Sequence, residues 1–258
     1  MRLDRFLAEA SVGTKKSVRL YVKEGKVTVN HQMVDNPALE IDENSDMVRF
    51  LGNDVIYPGR FYYMLHKPEG CITATKDGGN KTVMDYFPPQ QRIGLFPVGR
   101  LDKDTEGLLL ITNDGEFSHR LMYPDKKIEK TYFFCAFGSL EKADRTKLIE
   151  GVIIGENEPL AKAVRVEIEE EDLYDNLKDR LSQLNLKEIR INAARQMVVS
   201  GYITITEGRK HQVKRMLKAV GCYVVYLKRI SIGELRLDEA LQKGQYRELT
   251  DDEVRSLQ

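Results

Sequence analysis

Metal, disulfide and membrane chemistry all lack the residues they need in this sequence. The three cysteines, Cys71, Cys135 and Cys222, are odd in number and far apart, and no two have metal-ligand spacing. They are expected as reduced thiols, with Cys135 and Cys222 in apolar strand-like runs of the core. The four histidines, His31, His66, His119 and His211, make no zinc pattern, so no metal is expected. No apolar run is long enough to span a bilayer, which excludes a membrane partner of that kind. The opening Met1-Arg2-Leu3-Asp4-Arg5 leads into an amphipathic segment rather than a signal-peptide apolar region, and a cytoplasmic protein is expected. A net charge is missing as well, since 40 basic residues cancel 40 acidic ones.

That balance would argue against a nucleic-acid partner if the charge were evenly spread. It is not. Residues 1–31 hold seven basic residues against three acidic ones, and residues 207–229 hold seven against one. The compensating acids gather elsewhere, as in Glu167 to Asp172. Local clusters set the field that a phosphate backbone feels. The 258 residues are long for one small domain and comfortable for two, and 41% hydrophobic content suffices for packed cores.

A first unit is expected to run to about residue 57. Leu3, Phe6 and Leu7 have helical spacing, a second helix covers Lys16 to Lys23, and Gly25 ends it. Lys26 to Asn30 alternates like a strand, Leu39 and Ile41 suggest another, and Met47 to Leu51 a third. Residues 53–59 read as a linker. The second unit, 58–258, opens with an aromatic-rich strand, Phe61 to Leu65, and Lys67-Pro68-Glu69-Gly70 turns the chain. Further strands are expected at Leu108–Thr112, Thr131–Phe137, Ala163–Ile168, Tyr202–Thr206 and Tyr223–Leu227. Helices are expected at Glu116–Met122, Leu140–Ile149 and Leu173–Leu184. Strands outnumber helices without regular alternation, which points to an α+β fold on a mixed, largely antiparallel sheet.

Two segments carry chemistry. In Gly99-Arg100-Leu101-Asp102-Lys103-Asp104-Thr105-Glu106-Gly107, a carboxylate sits beside an arginine at the mouth of an apolar strand. Burial and a neighbouring cation can set the reactivity of such a group. The plainer alternative is a turn aspartate bonded to its own backbone. In Glu207 to Gly221, Val213, Met216, Leu217 and Val220 form one buried helical face. Arg209, Lys210, Lys214, Arg215 and Lys218 fill the rest, either as a solvated surface or as a face for phosphates.

Together these segments resemble the RsuA/RluB/E/F group of pseudouridine synthases. Arg100 to Leu109 is similar to its RLDxxTxGLL signature, Lys130-Thr131-Tyr132 to its K-x-Y motif, Glu207 to Met216 to its EGRxHQVRRM motif, and Leu227 to Gly233 to its L-x-R-x-x-x-G motif. The N-terminal unit resembles an S4 RNA-binding domain through Arg2-Leu3-Asp4, Gly25, Val27, Val29-Asn30 and Val34. Nearly the whole chain is covered. Two departures stand out. Thr14-Lys15 replaces a common Ser-Arg, which keeps a cation and loses the fork that grips phosphate. The stretch from about Glu169 to Gln196 is longer than in many members.

The resemblance implies a small S4-like αα-β domain followed by a catalytic domain. It implies ribosomal RNA as partner, no cofactor and no obligate protein partner. The small-subunit branch, which modifies uridine 516 of 16S rRNA, is the nearer one. The large-subunit branch and a non-catalytic assembly factor are the other readings. Asp102 is implied as the reacting carboxylate. Arg229 is implied as its ion-pair partner or as a phosphate contact. Tyr132 is implied as the ring that stacks on the displaced uracil, or simply as a core aromatic. Arg100, Lys130, Arg209, Lys210, His211, Gln212, Lys214 and Arg215 would position RNA in the second unit. Arg2, Lys15, Lys16 and Arg19 would do so in the first.

Overall fold

The computed structural model describes residues 1–182 and 196–257. The N-terminal unit comprises α1 (Leu3–Glu9), α2 (Lys15–Lys23), β1 (Val27–Val29), β2 (Gln32–Met33), β3 (Val48–Phe50) and β4 (Asn53–Asp54). Thr14 caps α2 by accepting from the Ser17 amide. The strands pair antiparallel in the order β2-β1-β3-β4. Leu3, Phe6, Leu7, Val18, Val22 and Val27 close a small core of their own.

The rest of the chain forms β5 (Tyr62–Lys67), β6 (Phe96–Val98), β7 (Glu106–Thr112), α3 (Gly115–Met122), β8 (Lys130–Phe137), α4 (Lys142–Glu150), β9 (Arg165–Leu173), α5 (Tyr174–Ser182), β10 (Met197–Ile205), α6 (Gln212–Ala219), β11 (Tyr223–Ile232), β12 (Leu235–Arg236), β13 (Tyr246–Glu248) and α7 (Asp251–Ser256). The main sheet runs β13-β5-β7-β11-β8-β10-β9, with β6 added beside β7 and β12 beside β11. Its pairings are antiparallel except for β7 against β11, where Glu106 faces Lys228 and Gly107 faces Arg229.

β7 is the spine of this sheet. Every residue of it is buried. Leu109 and Ile111 point into one core, Leu108 and Leu110 into the other. A strand covered on both faces has no polar side to show, hence its continuous apolar run. At its far end Asp114 caps α3 through the amides of Glu116 and Phe117. The same buried carboxylate accepts from Tyr62 Oη at 2.9 Å and pairs with Arg5 and Arg60. Arg5 lies on α1, so this aspartate ties the N-terminal unit to the sheet.

Several expected elements differ. The strand expected at Leu39 and Ile41 is only an isolated bridge, Arg2 to Glu40, because this segment pairs with the chain start through Leu3 N–Leu39 O and Ile41 N–Met1 O. Asn53–Asp54, expected in a linker, extends the small sheet. β9, β10 and β11 reach beyond their expected ends because each is held along its length by a neighbour. Of the helix expected at Leu173–Leu184 and the long stretch 169–196, residues 183–195 lie outside the described residues. Among the described residues, no helix is long and apolar enough to cross a membrane.

Candidate active site and RNA interface

Asp102 sits on the loop that enters β7, and that loop is held from three sides. Gly99 has φ +69°, a left-handed turn that starts it. Leu101 is buried, its amide donating to Thr73 Oγ1 at 3.1 Å while Thr73 Oγ1 donates to the Leu101 carbonyl at 2.7 Å. From beneath, Lys67 Nζ donates to the carbonyls of Thr105 at 2.9 Å and Pro68 at 3.0 Å. Lys67 is wholly buried, and burial pushes its pKa down. The turn at Lys67-Pro68 was visible in the sequence. Its role under the loop was not, because it depends on β5 lying beside β7, where Lys67 faces Gly107.

The Asp102 carboxylate faces the start of α6. His211 Nε2 lies 3.5 Å from one oxygen and Lys214 Nζ 3.8 Å from the other. His211 is the N-cap of α6 with φ 53°, a left-handed conformation uncommon for a side-chain-bearing residue. Arg100, Asp102, Thr105, Tyr132, His211 and Gln212 all line one narrow cleft. Three segments distant in sequence thus meet there: the loop before β7, β8, and the turn into α6.

The expected ion pair between Arg229 and Asp102 is not formed. Arg229 is 3% exposed and sits behind the cleft. Its Nε donates to the Leu108 carbonyl at 2.8 Å, and its Nη1 lies 3.5 Å from Tyr132 Oη, with the guanidinium 6.0 Å from the Tyr132 ring centre. Arg229 is paired with Gly107 in the sheet, and from there its side chain reaches the Leu108 carbonyl and Tyr132. Lys214 and His211 take the place beside Asp102 that Arg229 was expected to hold.

Lys130 is also internal. It is 7% exposed and donates to the Ile128 carbonyl at 2.9 Å and the Thr206 carbonyl at 3.4 Å. It therefore braces the segment leading to His211 rather than facing solvent. Burial, helped by the charge of Arg229, pushes its pKa down to about 8 from 10.5. The unfolded chain then binds more protons than the fold between those values, so this group makes the fold more stable as pH rises through that window. The buried thiols of Cys135 and Cys222, pushed up to about 12 and about 11 from 9.0, act in the opposite direction, so the test is a difference: between pH 8 and pH 10, urea unfolding of the wild type should gain about 2 kcal/mol relative to Lys130→Met. Equal pH dependence in both proteins would contradict the assignment.

The basic segment of α6 differs from a bare phosphate face. Arg209 and Lys210 precede the helix. Arg209 and Arg215 both pair with Glu158 and donate to carbonyls of residues 154–160. They cross-link a loop some fifty positions away, which helical spacing cannot reveal. Lys214 pairs with Asp104. Lys210 and Lys218 are exposed.

A second, wider cleft of about 750 Å³ lies between the N-terminal unit and α3. Arg2, Arg5, Lys15 and Arg19 line one wall, His119 and Arg120 the other. Arg2 and Arg19 share the nearly buried Asp4, at 3.0 and 2.7 Å. Burial works to raise the Asp4 pKa, but the two guanidinium groups hold it below the usual value. Lys16 is exposed on the same helix as Lys15. Among the described residues, no three His, Cys, Asp or Glu side chains are grouped to hold a metal, and the three cysteines are free and buried.

The model for the RNA pseudouridylate synthase family matches residues 61–219, and that for the S4 domain matches residues 1–47. The chain is 40% identical to the uncharacterized RNA pseudouridine synthase YtzG of Bacillus subtilis, covering 100% of this chain and 98% of the relative. It is 36% identical to ribosomal small subunit pseudouridine synthase A of Vibrio vulnificus, covering 100% and 99%. It is also 36% identical to ribosomal large subunit pseudouridine synthase B of Bacillus subtilis, covering 99% and 95%. A solved structure described as a pseudouridylate synthase superposes with a TM-score of 0.62 at 32% identity, covering 100% of this chain and 99% of that one.

Proposed function

The chain belongs to the RNA pseudouridylate synthase family, and from that premise we propose that it isomerises one uridine of small-subunit ribosomal RNA in the cytoplasm. Uridine 516 of 16S rRNA is the target the motif resemblance suggests. We take residues 1–57 as the RNA-binding unit and 58–258 as the catalytic unit. The reaction breaks the bond from the ribose to uracil N1, turns the base, and joins the ribose to C5. A proton leaves C5 and one is gained at N1, so no electrons are exchanged and no cofactor is called for.

The observation that carries this reading is the placement of Asp102 in a narrow cleft with Tyr132 and the His211 imidazole, with the Lys214 ammonium 3.8 Å from its carboxylate. Asp102 is the reacting carboxylate. It attacks the ribose carbon, attacks the ring, or first removes a sugar proton, and each route uses it ionised. Tyr132 stacks on the extruded uracil and helps to take the C5 proton, with Arg229 behind it. A uridine inside folded RNA must leave its stack to reach this cleft, at a cost of about a few kcal/mol. Arg2, Lys15, Lys16 and Arg19 on the first unit, with Arg100 and Lys210 near the cleft, offset this by gripping phosphates.

A second reading keeps the chemistry and moves the target to large-subunit RNA, favoured by the relative of that name. Purified protein with 16S and 23S transcripts carrying tritium at uridine C5 separates the two. Release from the 16S transcript is expected. Release only from 23S would move the target, and release from neither would overturn the function.

A further inference from the structure

Two polar side chains in the cleft with Asp102 hold atoms that no described residue satisfies. Thr105 is 1% exposed and Gln212 is 3% exposed, and both line the cleft. Among the described residues, Thr105 Oγ1 and Gln212 Nε2 are sealed from solvent without a hydrogen-bond partner. Buried polar atoms are nearly always paired, so two orphans in one binding cleft mark places kept for a ligand.

The Gln212 amide has only one sensible orientation. Its Oε1 accepts from the Arg209 backbone N–H at 2.9 Å. Turning the amide over would set its NH2 against that N–H, donor to donor. Nε2 is therefore left with hydrogens to give and nothing to accept. Uracil has carbonyls at positions 2 and 4. Cytosine has an amine at position 4, which would meet Nε2 donor to donor. A site built around such a donor rejects the base that lacks the matching acceptor.

The reaction adds a second requirement. Moving the ribose link from N1 to C5 means turning the ring half way about the line through N3 and C6. That turn exchanges N1 with C5, and it exchanges the two carbonyls. A fixed donor that meets one carbonyl before the turn meets the other after it. We propose that Gln212 Nε2 donates to a carbonyl of the extruded uracil, reads uridine against cytidine, and holds the ring on both sides of its turn. This rests on the pseudouridine-synthase reading of the same cleft.

The test uses the full chain and the RNA it converts, synthesised with uridine, 2-thiouridine or 4-thiouridine at the target. Sulfur accepts hydrogen bonds poorly. Gln212→Met, of similar volume, removes the Nε2 donor together with the oxygen that accepts from the Arg209 amide. Under single turnover, one sulfur should slow the wild-type protein roughly tenfold or more, and should cost the variant little further. The variant should be slow on uridine and lose some thermal stability with the Arg209 amide left unpaired, and the sulfur penalty, a ratio taken within each protein, separates that loss from the lost donor. A sulfur penalty equal in wild type and variant would overturn the proposal, as would a Gln212→Met protein as fast as wild type on uridine. Wild-type protein that isomerises no uridine in any rRNA would instead overturn the enzyme reading, and this proposal with it.

Discussion

Asp102→Asn should lower pseudouridine formation by about 10⁴-fold or more, the scale seen when a reacting group is removed from its unit. RNA binding should be kept or slightly strengthened, because a carboxylate that repels phosphate has become neutral. The fold should not suffer. The Asp102 side chain is 27% exposed, and its contacts with His211 and Lys214 are 3.5 and 3.8 Å long. Partly exposed pairs of that kind contribute about 1 kcal/mol or less, and Lys214 keeps Asp104 as a partner. Gel-shift affinity and tritium release, measured on one preparation, separate binding from chemistry. Isomerisation at the wild-type rate would contradict the role given to Asp102.

Gly107→Ala should have the largest effect on stability. Gly107 has φ +105°, and an added Cβ would lie 2.2 Å from the Arg229 carbonyl oxygen and 2.7 Å from its nitrogen. Both obstacles are backbone of the neighbouring strand, so no side chain can swing aside. β7 and β11 would have to separate at their parallel pairing, and the bond from Arg229 to the Leu108 carbonyl would go with it. A cost of about 4 kcal/mol or more is expected, a fall of roughly 8–16 °C in thermal midpoint for a protein of this size. Gly115→Ala is the control. A Cβ there meets nothing within 4 Å, and the midpoint should hold or rise slightly. Equal midpoints for the two variants would mean that the strand contact is not what this glycine provides.

The parts of the molecule legible in the sequence are those whose signal is local. The apolar run Leu108–Ile111 marked a buried strand because both faces of β7 are covered. Val213, Met216 and Leu217 marked the buried face of α6 because helical spacing brings them together. Asp102 was marked by the motif around it, and so were Tyr132 and Gln212. What was not legible depends on chain segments meeting from afar. Lys67 under the Asp102 loop needs β5 beside β7. Glu158, which takes up Arg209 and Arg215, lies on a loop with no pattern of its own. The partner of Asp102 was expected to be Arg229 and is instead the start of α6, because the Arg229 guanidinium is engaged by the Leu108 carbonyl and Tyr132. Charge counts along the chain located the basic clusters, yet could not tell a free cation from one already paired.

The most direct measurement is a map of pseudouridine along the rRNA of three strains: the parent, one lacking this chain, and one carrying only the Asp102→Asn protein. One position in small-subunit rRNA is expected to be pseudouridine in the parent and uridine in both others. Restoration of that position by Asp102→Asn, or an rRNA map unchanged by loss of the chain, would contradict it.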